Sequence, residues 1–330
     1  MNLITPEIQR FSLCIGSIIA LFWQKRFGAL PGGVIIPGLL SNLLLISPLW
    51  CLILVGIAYL IRWIYRRWLE RVEHQRRLPM YFLGGLSLLI SGPCALAAIQ
   101  LGLVPANTDS ISGSLLPGVI AFSLHRQNQR HVSTSMLWGT ISTCLITLTI
   151  ASLGSMLFRL DFDQLNQYYR HSNSIQLEAK SIQFGVALLV GMVIYKKTQL
   201  RPGGYVVAPM AAALMLDPVS AAMFVIGCIS VEFIVRVISA QSLIIGLSRY
   251  VTSLLISTAY VWSIEIAFIQ TGVQILPFQG NHILVIIAIM SYANDALLHG
   301  RVRLIPLMTL MVSSATAVLF IVHHWLTITN

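Results

Sequence analysis

Two segments of this chain combine proline and glycine with a pair of basic residues, and they occur at corresponding places in its two halves. Residues 24–38 read QKRFGALPGGVIIPG, and residues 195–209 read YKKTQLRPGGYVVAP. A Pro-Gly-Gly break frees backbone amides and carbonyls, which can coordinate a substrate or a passing chain. The neighbouring lysines and arginines would attract a polyanion. The alternative explanation is a tight turn with close helix packing, since glycine lets backbones approach each other.

No pattern in the sequence indicates catalysis. The phosphate-binding pattern GxxxxGK[ST], a nucleophile elbow with a Ser-His-Asp order, and the zinc-binding HExxH are all absent from the sequence. We therefore do not expect ATP hydrolysis or ligation by this chain alone, and we predict no cofactor and no metal.

Some ionisable residues lie within apolar stretches, where a charge is costly and often functional. Glu232 and Arg236 are four residues apart, which is the favourable spacing for an ion pair on one helix. Mutual neutralisation is the simpler interpretation of this pair. Glu265 and His282 flank the predicted outer face, and we expect them to be solvated.

The composition indicates the class of protein to which these residues belong. Of the 330 residues, 56% are hydrophobic and only 10% are charged, and the mean hydropathy is +0.81. Soluble domains carry roughly a quarter charged residues. These values exclude a soluble globular domain, a disordered chain and a disulfide scaffold. They predict an all-α polytopic membrane protein.

Twelve apolar runs can be read between turn signals. They cover about 11–24, 33–47, 48–65, 80–103, 111–124, 133–158, 181–195, 204–216, 218–239, 243–269, 281–298 and 304–326. A full crossing needs roughly 20 residues, and several runs are shorter. The short ones are predicted to be half-helices or tilted segments that protein shields from lipid.

The basic residues predict the orientation of these runs. If all twelve cross and the N-terminus lies outside, seventeen of the 21 lysines and arginines fall on the cytoplasmic side. The net charge of +10 is thus mainly a topology signal. We predict a multi-pass protein of the bacterial inner membrane that contacts membrane lipid and has no nucleic-acid partner. Residues 62–77 mainly anchor the topology in this interpretation, and they could also meet anionic headgroups, dock an acidic partner or hold a polyanionic product.

Comparison of the chain with itself predicts a duplication. At an offset of 171 residues, the basic pair and Pro-Gly-Gly of the first segment fall on those of the second. Six runs in each half give both halves the same orientation, which predicts parallel repeats. The expected domains are a first membrane repeat at 1–158, an extracytoplasmic linker at 159–180, and a second membrane repeat at 181–330.

The motifs resemble those of a known family. Residues 16–38, together with LLPGVIAFSLHRQ at 115–127, resemble the small membrane subunit, or C component, of poly-gamma-glutamate (capsule) synthases. The first copy matches over most of 11–158. The second is more diverged, with its best matches at 196–209 and 293–300. A single-copy member is about half this length, so this chain resembles a tandem duplication.

The resemblance implies a function. It implies a non-catalytic membrane subunit of an anionic-polymer synthesis and export complex. That subunit anchors or activates a cytoplasmic, ATP-dependent, Mur-ligase-like amide ligase, and it takes part in export beside a capsule A-type surface subunit. The copies depart from the family pattern in different ways. Phe122 replaces the family's asparagine in the first copy, and Ile289-Met290 replaces Pro-Gly in the second.

Asn294 and Asp295 lie one turn before His299 in the second copy of this motif. Helix capping or packing is one explanation for them, and a contact to substrate or to the partner ligase is the other. The residues predicted to bind polymer or to contact a partner are Lys25, Arg26, Pro31, Gly32, Gly33, Pro37, Gly38, Pro117, Gly118, Lys196, Lys197, Pro202, Gly203, Gly204, Pro209, Asn294 and Asp295.

Two other functions are compatible with the sequence. A stand-alone secondary transporter for a small anion would share the broken segments and the basic mouth. A scaffold without a conduit would lack a continuous polar path through the bundle. Co-purification with a soluble ligase would separate the synthase subunit from the transporter.

Overall fold

A computed structural model shows that the chain is helical, as the sequence predicts. It describes residues 6–69, 78–101, 110–158, 177–200, 204–215, 217–271, 277–278 and 282–329, and no strand occurs in these ranges. The first six helices are α1 (Pro6–Phe27), α2 (Ile36–Ile46), α3 (Pro48–Ile64), α4 (Leu78–Gln100), α5 (Ser110–Arg126) and α6 (Gln129–Phe158). The next six are α7 (Leu177–Thr198), α8 (Gly204–Leu214), α9 (Pro218–Ser242), α10 (Leu247–Gln270), α11 (His282–His299) and α12 (Arg301–Thr329). The all-α polytopic class is confirmed.

Six of the described helical stretches are long and apolar enough to cross a membrane. They are Pro48–Trp68, Gln129–Leu153, Pro218–Ser242, Leu247–Gln270, His282–His299 and Arg301–Val318. In contrast, α2 and α8 have 11 residues each. At 1.5 Å per residue, such a helix spans roughly half of the ~30 Å hydrocarbon layer. Neither short helix can cross alone.

The helices form two compact units. One holds α1 to α3, α5, α6 and the part of α4 from Leu86 onward, and the other holds α7 to α12 with the start of α4 up to Gly85. In the second unit, the ring of Tyr81 in α4 lies 5.9 Å from that of Tyr195 in α7. The predicted linker lies outside the described residues except for 177–180, which form the first turn of α7.

Six helix pairs that are in contact in the first unit have corresponding pairs in contact in the second. In the first unit α1 contacts α2 and α6, α2 contacts α3 and α6, and α5 contacts α3 and α6. In the second unit α7 contacts α8 and α12, α8 contacts α9 and α12, and α11 contacts α9 and α12. A duplicated chain would produce this correspondence. The duplication itself stays a prediction.

The third helix of each unit begins in the same way, with a capping residue followed by proline. Pro48 and Pro218 occupy the first helical positions of α3 and α9, where a missing N–H costs nothing. The preceding residues cap the helices. Ser47 Oγ accepts a hydrogen bond from the N–H of Trp50 at 3.4 Å, and the carboxylate of Asp217 accepts from the N–H of Val219 at 3.1 Å.

Helices α1 and α2 run antiparallel in direct backbone contact. A Cβ atom on Gly16 would lie 2.3 Å from the backbone nitrogen of Gly38, so neither position has room for a side chain. Ser12 Oγ donates to the carbonyl of Gly38 at 3.0 Å, and Asn42 Nδ2 donates to the carbonyl of Gln9 at 3.1 Å. Small residues and interhelical hydrogen bonds are the usual means of helix association in membranes.

This contact predicts the effect of one added methyl group. We expect Gly16→Ala to lower the midpoint of thermal unfolding in detergent, because overpacking costs about 1–3 kcal/mol. The matched control is Gly56→Ala in α3, where a Cβ would meet open space. It should unfold at or slightly above the wild-type midpoint. An unchanged midpoint for Gly16→Ala would contradict the contact.

Candidate functional site

The chain between α1 and α2 is non-helical because its glycines adopt conformations that other residues avoid. Gly28 ends α1 with φ +68°, and its N–H donates to the carbonyl of Gln24 at 3.0 Å. Gly32 and Gly33 follow with φ +76° and +144°. Pro31 and Gly32 are buried. The Pro-Gly-Gly motif is therefore a genuine break in the helical structure.

The break lets the chain turn back along α1. After α1 ends at Phe27, residues 28–35 return until Gly38 lies beside Ser12 and Gly16, in the middle of α1. The non-helical segment therefore runs beside the second half of α1, which the short helix α2 does not reach. Non-helical backbone at membrane depth is tolerated only where protein or a water-filled cavity surrounds it.

Helices α5 and α6 provide this surrounding protein. The N–H of Leu30 donates to Gln127 Oε1 at 3.0 Å, just after the end of α5, and Ser123 Oγ donates to the carbonyl of Gly32. On the α6 side, a Cβ atom on Gly139 would lie 3.3 Å from the Cβ of Pro31. The break thus has polar partners from α5 and is packed against α6.

Pro117 and Gly118 lie within the same helix, α5, and both are buried. The N–H of Gly118 donates to Ser87 Oγ of α4 at 3.0 Å. Val119, the next residue, faces Gly33. The two Pro-Gly motifs of the first unit, Pro31-Gly32-Gly33 and Pro117-Gly118, therefore lie close together where the break packs on α5.

The basic pairs end the first helix of each unit. Lys25 and Arg26 occupy the last turn of α1, and Lys196 and Lys197 the last turn of α7. All four side chains are exposed. They are available to a charged partner or to lipid headgroups.

The second Pro-Gly-Gly segment is described only from its final glycine. Pro202 and Gly203 lie outside the described residues, Gly204 begins α8, and Pro209 is buried within that helix. Pro37 and Gly38 hold the corresponding buried place in the first turn of α2. Helix α8 packs on α7 and α12 through an apolar cluster of Ala187, Ile194, Ala208 and Met311.

Asn294 connects two helices of the second unit. Its Oδ1 accepts from Arg249 Nε of α10 at 3.3 Å, and its Nδ2 donates to Ser253 Oγ of α10 and to the carbonyl of Met290 at 2.9 Å. Asn294 and Asp295 are both buried in α11. These contacts join α10 to α11, which agrees with the packing explanation, and a contact to substrate or to a partner ligase stays a prediction.

Glu232 forms the predicted ion pair and a second one that the sequence did not reveal. Arg236 Nη2 lies 2.5 Å from its carboxylate, which confirms the predicted pair. Arg301 Nε, from the first turn of α12, binds the other carboxylate oxygen. Glu232 is fully buried, while both arginines reach the surface. Two cations compensate the desolvation of one buried anion.

The predicted solvation of Glu265 and His282 is wrong. Both are buried, with 2% and 5% of their surface exposed. Helix α11 contacts α8, α9, α10 and α12, so even its first residue, His282, is covered. Glu265 lies in α10, which packs along α11.

The sequence also missed a basic cleft in the first unit. Arg62, Arg66 and Arg130 line it, although the sequence indicated a role in topology for these charges before any role in binding. The signal available was the polar turn HRQNQR at 125–130, directly after the second Pro-Gly motif. The spacing of the basic residues along the sequence could not show that the end of α3 and the start of α6 would meet there.

One comparison with known proteins is informative. The family model described as capsule biosynthesis CapC matches residues 15–133 and 186–288, which together are more than half of the chain and include both Pro-Gly-Gly segments. No curated protein and no solved structure matches the chain significantly.

The hydrogen bond from Ser123 to the carbonyl of Gly32 predicts that loss of the Ser123 hydroxyl lowers the stability of the protein. Ser123→Ala would leave the buried carbonyl of Gly32 without its side-chain donor, at a cost of about 1–3 kcal/mol. We expect a lower midpoint of thermal unfolding and faster amide exchange in residues 28–35. Thr149→Ala, which removes an exposed hydroxyl bonded within α6, should change stability by less than about 0.5 kcal/mol. Equal stability of the two variants would show that Ser123 does not support the break.

Proposed function

Because the chain belongs to the CapC family of capsule biosynthesis, we propose that it is the membrane subunit of a complex that synthesises and exports an anionic polymer of poly-gamma-glutamate or capsule type. In this proposal a cytoplasmic ATP-dependent amide ligase makes the polymer. The chain anchors or activates that ligase and forms part of the export path, beside a capsule A-type surface subunit.

The observation that carries the proposal is the enclosed break at Pro31-Gly32-Gly33. Discontinuous helices in membrane proteins are the places where substrates contact backbone groups. Here the break lies between a half-length helix and an exposed basic pair at the end of α1. A polyanion attracted by Lys25 and Arg26 would thus arrive beside non-helical backbone.

The ends of α1, α3 and α5 lie on the same side of the first unit, and we assign this side to the cytoplasm. The edge-on contact between the rings of Tyr65 and His125, at 5.1 Å, and the hydrogen bond from Leu30 to Gln127 place these ends together. Trp63 and Trp68 are 62% and 72% exposed on either side of two arginines. Exposed tryptophan beside arginine is typical of the membrane–water interface.

A secondary transporter for a small anion is the second candidate function. The equal lengths of the half-helices α2 and α8, one in each unit, favour it, because corresponding short segments mark transporter binding sites. The two candidates differ in their partners. A synthase subunit needs a ligase, whereas a transporter works alone in a vesicle.

Removal of both basic pairs tests whether these four residues form the entrance for the polyanion. We expect the quadruple variant Lys25→Gln, Arg26→Gln, Lys196→Gln and Lys197→Gln to lose most surface polymer while it still inserts into the membrane, because the local positive potential disappears. The control exchanges lysine and arginine at the same four positions and should export normally. Undiminished surface polymer in the glutamine variant would contradict the entrance.

Co-purification separates the two functions. We expect the tagged chain, extracted from its native membrane, to retain an ATP-dependent amide ligase, and we expect the complex to make polymer. If the purified chain instead carries no ligase and moves a small anion into proteoliposomes, the transporter is the correct assignment.

A further inference from the structure

Two arginines of the second unit, Arg236 in α9 and Arg301 in α12, are held by one buried carboxylate. Glu232 accepts from Arg236 Nη2 with one oxygen and from Arg301 Nε with the other. Neither arginine forms another hydrogen bond or ion pair in the part of the chain that the structure describes. Their side chains are 53% and 38% exposed, and a guanidinium group has five N–H donors. This arginine pair therefore has donors available to an anion from another molecule.

The arginine pair lies in positively charged surroundings. One carboxylate faces two guanidinium ions, so the group they form has a net positive charge. Arg301 is also the first residue of α12, whose first turn has no acidic residue and carries partial positive charge from its N–H groups. Because Glu232 already holds both guanidinium groups, an anion that binds them has less side-chain freedom to remove.

Exposed apolar side chains lie beside the arginine pair. Phe233 precedes Arg236 by three residues and Ile305 follows Arg301 by four, so each lies on the same helix face as its arginine. Phe233 is 60% exposed and Ile305 is 54% exposed. Ile229, one turn before Phe233, continues this exposed surface along α9. Each arginine is thus next to apolar surface on its own helix.

The helix lengths place the arginine pair at the boundary of the hydrocarbon layer. Helix α9 and the stretch Arg301–Val318 of α12 are both long and apolar enough to cross a membrane. Arg236 lies eighteen residues after the start of α9, which is roughly 27 Å in a helix, and the hydrocarbon layer is about 30 Å thick. Phe233 and Ile305 therefore lie on the hydrocarbon side of the two arginines.

A ligand that uses both features combines an anionic group with apolar chains. A soluble polyanion would contact the arginines and leave Phe233 and Ile305 uncovered. The phosphate of a phospholipid suits guanidinium groups, and its acyl chains suit the apolar side chains. Helices α9 and α12 both pack on α11, so the arginine pair lies between two helices of one bundle. Basic sites between transmembrane helices are known places for anionic headgroups.

We infer that the arginine pair is the centre of a binding site for one anionic phospholipid. The phosphate lies between Arg236 and Arg301, and an acyl chain covers Phe233 and Ile305. The bound lipid adds a connection between α9 and α12 to the one that Glu232 makes. The inference does not depend on the proposed function, since a synthase subunit and a transporter are both surrounded by lipid.

Lipid binding to the purified full chain tests the inference. The delipidated chain in detergent is titrated with phosphatidylglycerol, phosphatidylcholine or inorganic phosphate, and native mass spectrometry measures what each chain retains. We expect one phosphatidylglycerol to bind at least about tenfold more tightly than phosphatidylcholine, whose own ammonium group offsets its phosphate charge. Its binding should also raise the midpoint of thermal unfolding. Equal binding of the two lipids, or phosphate that binds as tightly as phosphatidylglycerol, would overturn the inference.

A neutral variant locates the site. Glu232→Gln, Arg236→Gln and Arg301→Gln together lower the net charge by one and leave no buried charge without a partner. We expect phosphatidylglycerol to bind at least about tenfold more weakly, because two charge-assisted contacts are lost. The matched control, Arg303→Gln, removes the same net charge from an exposed arginine on another face of α12 and should change affinity by less than about threefold. Equal weakening in both would overturn the site.

A second variant keeps the charges and changes the apolar surface. Phe233→Ser with Ile305→Ser replaces two exposed side chains, so we expect the fold to be retained. Phosphatidylglycerol should bind at least about threefold more weakly, because its acyl chain loses apolar contact, while the binding of inorganic phosphate should not change. Undiminished lipid binding in this variant would contradict the inference. Displacement of the lipid from the wild-type chain by an equal concentration of poly-gamma-glutamate would assign the arginine pair to the polymer instead.

Discussion

The rule that buried backbone groups need hydrogen-bond partners governs the first unit. Its chain leaves helical geometry at Gly28 and resumes it at Ile36, and this interval brings Gly38 back to the middle of α1. Lipid cannot satisfy the amides and carbonyls that such an interval exposes. The close contact of α1 with α2, the hydroxyl of Ser123 and the side-chain amide of Gln127 all meet this requirement. The arrangement of α5 and α6 around the break follows from it.

The sequence predicts the helices well because their signals are local. Apolar runs, Pro48 and Pro218 at helix starts, and glycines where φ is positive all act within a few residues. The spacing of Glu232 and Arg236 is equally local, and their ion pair was predicted correctly. Contacts between distant residues could not be predicted in this way. Ser123 meets Gly32 across 91 positions, and Arg301 meets Glu232 across 69, so only the packing of whole helices brings them together.

The two units use their basic ends differently. In the second unit, buried Glu232 joins α9 to α12, and Asn294 joins α11 to α10, so its helices are tied by polar contacts from within. In the first unit, arginines and amides line a cleft that is open to the outside. A buried carboxylate between two arginines can fix one packing arrangement of the helices that carry them.

The distance in sequence between the break and its partners also affects how the protein is made. Helices of a membrane protein are inserted as they are synthesised, so α1, the break and α2 enter the bilayer before α5 and α6 exist. Until then the Gly32 carbonyl and the Leu30 amide lack the side chains that later bind them, which lie 91 and 97 positions further along. Insertion and folding of the first unit are therefore separate events. Synthesis must pass Gln127 before Leu30 and Gly32 can form their final hydrogen bonds.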